Sequence, residues 1–137
     1  LVRQIQADLD VFMFWCHVYE VGQDKHNEIF DTVDDHAGEL ETSMALALFP
    51  ELVELEQADS GALRPFQFEA LDRGWIKTSR KFSNLNDHCG NSDPSLATAE
   101  KGKQYLDFIC QRISNFLIEL SEAEVNDHFP HFPEIKH

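Results

Sequence analysis

Basic side chains are scarce in this sequence, with 11 lysines and arginines against 25 aspartates and glutamates and a formal net charge of −14. Nucleic acids and anionic membrane surfaces are bound by basic faces, so this balance argues against either as a partner. Long hydrophobic runs are missing as well, because no stretch approaches the roughly 18 apolar residues of a membrane span. No signal peptide is visible. The composition therefore predicts a protein with neither a nucleic-acid nor a membrane partner.

Cysteine is also rare. It occurs at Cys16, Cys89 and Cys110, an odd number without the spacing of a metal site. Free thiols fit a reducing compartment, so we expect a cytoplasmic protein. Two other groupings of histidine with aspartate or cysteine, at 87–89 and 127–131, lack a complete set of zinc ligands at the usual spacing.

The chain has 137 residues, enough for one domain with a hydrophobic core, and its 42% hydrophobic content is ordinary for a globular protein. It opens at Leu1 without a methionine and enters a patterned segment almost at once. We therefore expect residues 1–137 to form a single domain that is a portion of something longer or a cleavage product.

Hydrophobic patterning predicts an α/β fold. Residues 2–9 carry apolar side chains at helical spacing, and residues 10–19 form an apolar run rich in β-branched and aromatic types. Such a run is typical of a strand buried on both faces in a parallel sheet between helices. A second strand is predicted at 75–82. A long helix capped by Ser95 is expected to cover one face of the sheet.

Two polar residues stand out in the segment 34–48, which on a helix is apolar nearly all round. Glu41 falls within the apolar surface, where a carboxylate needs a cation, a metal or good hydrogen-bond donors. His36 lies at the N-terminal end, where the helix dipole favours a neutral imidazole that can shuttle protons. The alternative is that His36 is a capping or surface residue and that Glu41 pairs with an arginine.

Two motifs resemble those of a known family. The sequence His-Ala-Gly-Glu-Leu-Glu-Thr-Ser at 36–43, followed by an apolar helix and Phe-Pro-Glu-Leu-Val at 49–53, is similar to the C-terminal signature of the creatininase family. The segment Asn-Ser-Asp-Pro-Ser-Leu-Ala-Thr-Ala-Glu-Lys-Gly at 91–102 resembles the motif that leads into the last helix of that family. The resemblance covers about residues 1–120. It departs from the family pattern at 88–90 and at Ser92, where the family usually has glycine.

The resemblance implies a layered creatininase-like α/β fold with a parallel central sheet flanked by helices, present here as the C-terminal half of a longer domain. It also implies a homo-oligomer that hydrolyses the C–N amide bond of a small cyclic amide or formamide. In that family a pair of divalent metals activates water, so zinc or manganese is the expected cofactor. The metal ligands are expected in the missing N-terminal half, with none in this chain.

Site residues follow from motif position. His36 is expected to protonate the leaving nitrogen or to hold the substrate, and Asp35 to orient the imidazole or to contact the substrate. Glu41 is expected to contact the residues that hold the metal and so to support the metal end of the site. Glu39 and Ser95 are predicted to bind substrate.

The sequence leaves open the roles of two histidines and the function of the chain as a whole. His17 and His26 follow the predicted strand and either line the pocket or lie in a solvated loop. The chain as a whole is either part of an enzyme or a non-catalytic fragment or subunit that keeps the fold without the metal site. A third interpretation is a module that binds an anionic metabolite at the helix start near Ser95.

Overall fold

The computed structural model describes residues 2–9, 11–33, 36–79 and 81–135. Within these ranges the chain forms α-helices at α1 Val2–Leu9, α2 Val18–Val21, α3 His26–Ile29, α4 Glu39–Leu48, α5 Glu69–Asp72, α6 Phe82–Leu85 and α7 Ala99–Glu122. Short 3₁₀ turns lie at Gln23–Lys25, Pro50–Leu52 and Leu55–Gln57. None of these helices is long and apolar enough to cross a membrane.

Helices α4 and α7 form the main packing unit of the described chain. They approach most closely at Gly102 of α7, where an added Cβ would collide with the carbonyl group of Ser43 in α4. Glycine is therefore needed at this position because any larger residue would push the two helices apart. A hydrogen bond of 3.1 Å from the Thr98 amide to the Ser43 hydroxyl joins the helices at the same level.

A small apolar core lies between α3, α4 and α7. The ring of Tyr105, which is 1% exposed, packs against Phe30 with ring centroids 5.5 Å apart. Full burial of an apolar side chain of this size contributes about 1.5–3 kcal/mol. The buried members are Ile29, Phe30, Leu40, Tyr105 and Ile109. Leu40 of this core lies between Glu39 and Glu41 in α4, two of the candidate site residues.

The predicted parallel central sheet is wrong, because no β-strand occurs among the described residues. Residues 11–17 form no regular secondary structure, and Trp15 is 74% exposed. Residues 75–79 likewise form no strand, and α6 begins at Phe82. Apolar and β-branched composition indicates that a segment can be buried in a sheet, but a strand also needs a neighbour for its backbone hydrogen bonds. The described residues supply no such neighbour, so the layered α/β fold class does not hold for this chain.

The helix predictions fared better than the strand predictions. The helix at residues 2–9 is confirmed as α1, and the two long helices are present. Helix α4 begins at Glu39 rather than near His36, because Ala37 has φ 55° and a left-handed residue interrupts a right-handed helix. Helix α7 begins after Thr98, whose hydroxyl accepts a 3.2 Å hydrogen bond from the Lys101 amide, so the predicted Ser95 cap is wrong.

Candidate functional site

The turn that precedes α4 brings His36 and Glu41 together. The left-handed residue Ala37 directs its amide at Glu41, and the hydrogen bond to Glu41 Oε2 is 2.7 Å long. The same carboxylate oxygen lies 3.5 Å from His36 Nδ1. The His36 side chain is 44% exposed and that of Glu41 is 28% exposed, so both groups are accessible to a ligand.

The second oxygen of Glu41 is bound by a residue that sequence reasoning did not single out. Tyr19 in α2 donates a hydrogen bond of 2.8 Å to Glu41 Oε1. Glu41 therefore meets its need for donors through a phenol and a backbone amide, with the imidazole of His36 close by. In the sequence Tyr19 is only the last aromatic residue of an apolar run, and no spacing rule connects it with a glutamate 22 positions later.

A cavity of about 610 Å³ opens beside Tyr19 and Glu41. Such a volume accommodates a small molecule. His17 and His26 both line it, so the structure places these two histidines at the pocket. His26 is also held by the contact between its Nε2 and the carbonyl oxygen of Thr32, at 2.9 Å. The full lining comprises His17, Tyr19, Glu20, Gln23, His26, Asn27, Val33, Leu40, Glu41 and Tyr105.

Glu41 also borders a second cavity of about 390 Å³, on the side of Ala37, Thr42 and Pro94. Its carboxylate thus stands between two open spaces. His36 is not among the lining residues of the 610 Å³ cavity, and its ring instead packs edge-on against Phe82 at 5.3 Å between ring centroids.

The two motif segments meet in space. The Asn91 amide donates to the His36 carbonyl oxygen at 3.0 Å, and the Thr98 amide donates to the Ser43 hydroxyl at 3.1 Å. The segment 91–102 therefore anchors both ends of the segment 36–43. This explains in physical terms why the two motifs occur together in one chain.

Glu39, predicted to bind substrate, lies in the interior with a side chain that is 0% exposed. Its Oε2 accepts hydrogen bonds of 2.9 Å from the Asp31 amide, the Thr32 amide and the Thr32 hydroxyl. Its Oε1 pairs with the Lys101 ammonium. Burial alone would raise the pKa of the Glu39 carboxyl, but the hydrogen bonds from Lys101 and Thr32 and from the backbone outweigh it and hold the pKa below its ordinary value. Glu39 is a buried, charged residue of the framework, and both of its carboxylate oxygens accept hydrogen bonds from protein donors.

The remaining predicted residues lie elsewhere. Ser95 is exposed and lines neither of the two cavities, and its amide donates to Asp93 Oδ1 at 2.8 Å. This hydrogen bond lowers the pKa of the Asp93 carboxyl. Asp35, the predicted partner of His36, falls outside the described residues.

The next feature is the set of side chains that could ligate a metal ion. In the described part of the chain, no group of three or more histidine, cysteine, aspartate or glutamate side chains could hold a metal ion. Tyr19 and the Ala37 amide, which bind Glu41, are donors suited to a carboxylate and not to a cation. The described residues therefore do not fit a metal pair.

Comparison with known proteins supplies the family. The creatininase family, described as creatinine amidohydrolase, matches residues 1–117. A crystal structure of a proposed creatinine amidohydrolase from Bacteroides fragilis is 28% identical in sequence and superposes with a TM-score of 0.82 over 92% of this chain. The match covers 50% of that protein, so this chain spans about half the length of its solved relative. No curated protein matches the chain. Because the family match extends over most of the sequence and includes both motifs, the chain belongs to the creatininase family.

Proposed function

We propose that this chain forms the proton-transfer side of an amidohydrolase site that cleaves the C–N amide bond of a small cyclic amide or formamide. The observation that carries the proposal is the contact between His36 and Glu41 inside the family motif, with Glu41 lining a cavity of suitable size. Family membership supports the reaction class. The geometry of the site supports the roles of the individual residues.

Amide hydrolysis requires two events at the substrate. Water adds to the carbonyl carbon, and the C–N bond breaks only if the departing nitrogen gains a proton. Histidine is suited to deliver this proton, since its ordinary pKa lies near neutrality. With Nδ1 facing Glu41 Oε2, the Nε2 atom of His36 is the one that can face a substrate. His36 is accordingly the proposed general acid for the leaving nitrogen.

Glu41 acts through His36. A carboxylate next to Nδ1 selects the tautomer with hydrogen on Nδ1 and stabilises the imidazolium form that donates from Nε2. The separation of 3.5 Å exceeds an ordinary hydrogen bond, and catalytic hydrogen bonds commonly tighten in the complex with substrate. This assigns to Glu41 the orienting role that the sequence motif suggested for Asp35. Glu39 belongs to the framework of the site.

The expected zinc or manganese remains part of the proposal only as a requirement of the whole protein. A divalent metal would supply activated water. Its ligands are proposed to lie outside the described residues, and no step above depends on it. Cytoplasmic location and homo-oligomerisation likewise remain predictions.

The test is hydrolysis of a panel of small cyclic amides and formamides by the purified protein, with and without added zinc or manganese. His36→Ala is expected to lower kcat by about 100-fold or more, the usual contribution of a general acid. His128→Ala is the matched control, because His128 is an exposed histidine that follows α7 and lies outside both family motifs. Equal activity of the His36→Ala variant and the wild-type protein would refute the assigned role.

A second candidate function is a non-catalytic subunit. It is favoured by the absence of a metal-ligand group among the residues that the structure describes. The same assay separates the two candidates. A folded protein that turns over none of these substrates, even with added metal, would support the subunit and contradict the amidohydrolase.

A further inference from the structure

We infer that Tyr19 is a positioning residue that holds Glu41 in the orientation that His36 requires, so that the hydroxyl of Tyr19 controls the state of the imidazole. The inference rests on the proposed function in that it names a further residue of the same site. It starts from the hydrogen bond of 2.8 Å between Tyr19 Oη and Glu41 Oε1.

The two oxygens of Glu41 face different partners. Oε2 is directed at the Ala37 amide and His36, whereas Oε1 is directed at Tyr19. A carboxylate held at one oxygen only can rotate about its terminal bonds, since these torsions are broad. With both oxygens bound, the plane of the carboxylate is defined, and Oε2 remains next to His36 Nδ1.

Tyr19 is itself fastened to the core. The hydroxyl of Tyr105, a residue that is 1% exposed, lies 3.3 Å from the Tyr19 carbonyl oxygen and donates to it. Arg112 on α7 donates to the carbonyl oxygen of Val21 at 2.8 Å and forms a two-point ion pair with Asp24. Helix α2 is therefore attached to α7 at Tyr19 itself and at Val21. The phenol does not reach Glu41 from a free loop.

The surroundings of Tyr19 fit a role at the site. Its ring lines the 610 Å³ cavity together with Glu41, so a ligand there would touch the pair. The other titratable groups on this cavity are His17, Glu20, His26 and Tyr105, while His36 faces Glu41 from the turn before α4. Of these groups, Tyr19 and His36 contact the Glu41 carboxylate, one at each oxygen. Their effects on each other must pass through that carboxylate.

The experiment compares Tyr19→Phe with Ser121→Ala in the same protein. Each variant removes one hydroxyl, but only the Tyr19 hydroxyl contacts Glu41, whereas that of Ser121 donates to the Ile118 carbonyl oxygen at the exposed end of α7. Two quantities are measured: kcat and KM for amide hydrolysis, and the ¹⁵N chemical shifts of the His36 ring, which report the tautomer. Urea unfolding midpoints verify that each variant is folded.

We expect Tyr19→Phe to lower kcat about 10-fold with little change in KM, and to reduce the Nδ1–H tautomer of His36. Ser121→Ala should leave the ring shifts of His36 as in the wild-type protein. Combining Tyr19→Phe with Glu41→Gln should add no further loss of kcat beyond Glu41→Gln alone, because the two residues act through one contact.

Wild-type ring shifts of His36 and wild-type kcat in the Tyr19→Phe variant would overturn the inference, and so would equal effects of Tyr19→Phe and Ser121→Ala. The NMR measurement does not require turnover. If the wild-type protein hydrolyses none of the amides, a change in the His36 tautomer in Tyr19→Phe still supports the positioning contact, while the proposed function alone fails.

Discussion

Lys101 on α7 reaches Glu39, the first residue of α4, and neutralises a carboxylate that is completely buried. The same ammonium group binds Asp31 Oδ2 at 2.8 Å and the Leu96 carbonyl oxygen at 3.2 Å. This ion cluster joins α4, α7 and the turn at Asp31 beneath the candidate site. The pKa of Lys101 is raised mainly by the hydrogen bond to Asp31 and next by that to Glu39, which favours the protonated ammonium form.

Glu39→Gln is expected to lower the free energy of unfolding by about 1–3 kcal/mol, because the amide group cannot accept at both positions and leaves buried donors unsatisfied. Urea denaturation measures the loss. Glu100→Gln is the matched control, since Glu100 is exposed in the first turn of α7. A loss no larger than that of the control would contradict the buried ion cluster.

Lys101→Met should lower the urea midpoint more than Lys103→Met. Lys101 neutralises the buried Glu39, whereas Lys103 forms an exposed pair with Asp107 within the same helix. Removing one partner of a buried pair leaves an uncompensated charge, while exposed pairs contribute little. Equal midpoints for the two variants would show that Glu39 does not depend on Lys101.

The stability of the protein should depend on pH through Glu39. Its pKa in the folded state lies below the ordinary value of 4.5, so the folded protein binds this proton less readily than the unfolded chain. The stabilisation is fully present above pH 4.5 and is lost as the pH falls through the folded-state pKa. In the acidic range, the free energy of unfolding should therefore fall more steeply with decreasing pH for the wild-type protein than for Glu39→Gln. Parallel pH dependence of the two proteins would disprove this linkage.

Gly102→Ala should destabilise the protein by about 1–3 kcal/mol, the usual cost of overpacking. Alanine is the better helix former, yet its Cβ would collide with the Ser43 carbonyl group and separate α4 from α7. Ser114→Ala on an exposed position of the same helix is the control and should be neutral or slightly stabilising. A thermal unfolding midpoint at or above that of the wild-type protein would show that the helices can shift apart without cost.

Thr98→Ala should lower stability by about 1 kcal/mol through loss of the cap of α7, whereas Ser95→Ala should have a smaller effect. The comparison distinguishes the cap that the structure shows from the cap that the sequence suggested. Chemical denaturation of both variants is sufficient. A larger effect at Ser95 would return the cap to the position expected from sequence.

Part of the site could be predicted from sequence because it is local. The sequence identifies His36 and Glu41 as candidates because one short motif contains both. The contact between them depends on the left-handed Ala37 in the turn before α4. The contact with Tyr19 could not be predicted, since it depends on how α2 packs against α7. Glu39 and Glu41 look alike in the sequence, being two acidic residues on either side of Leu40. Tertiary packing placed Glu39 against Lys101 in the interior and Glu41 at the cavities.

The sequence by itself determined the two long helices and the family, because helical hydrogen bonds connect residues four apart and motif spacing is read along the chain. It did not determine the secondary structure of residues 11–19, although the composition of the run 10–19 suited a buried strand. A strand needs backbone hydrogen bonds to a neighbouring strand that is distant in sequence. Among the described residues, no segment forms a strand beside residues 11–17. Only the tertiary structure decided which polar groups meet. Their distances depend on the packing of α4 against α7, and the close approach at Gly102 sets that packing.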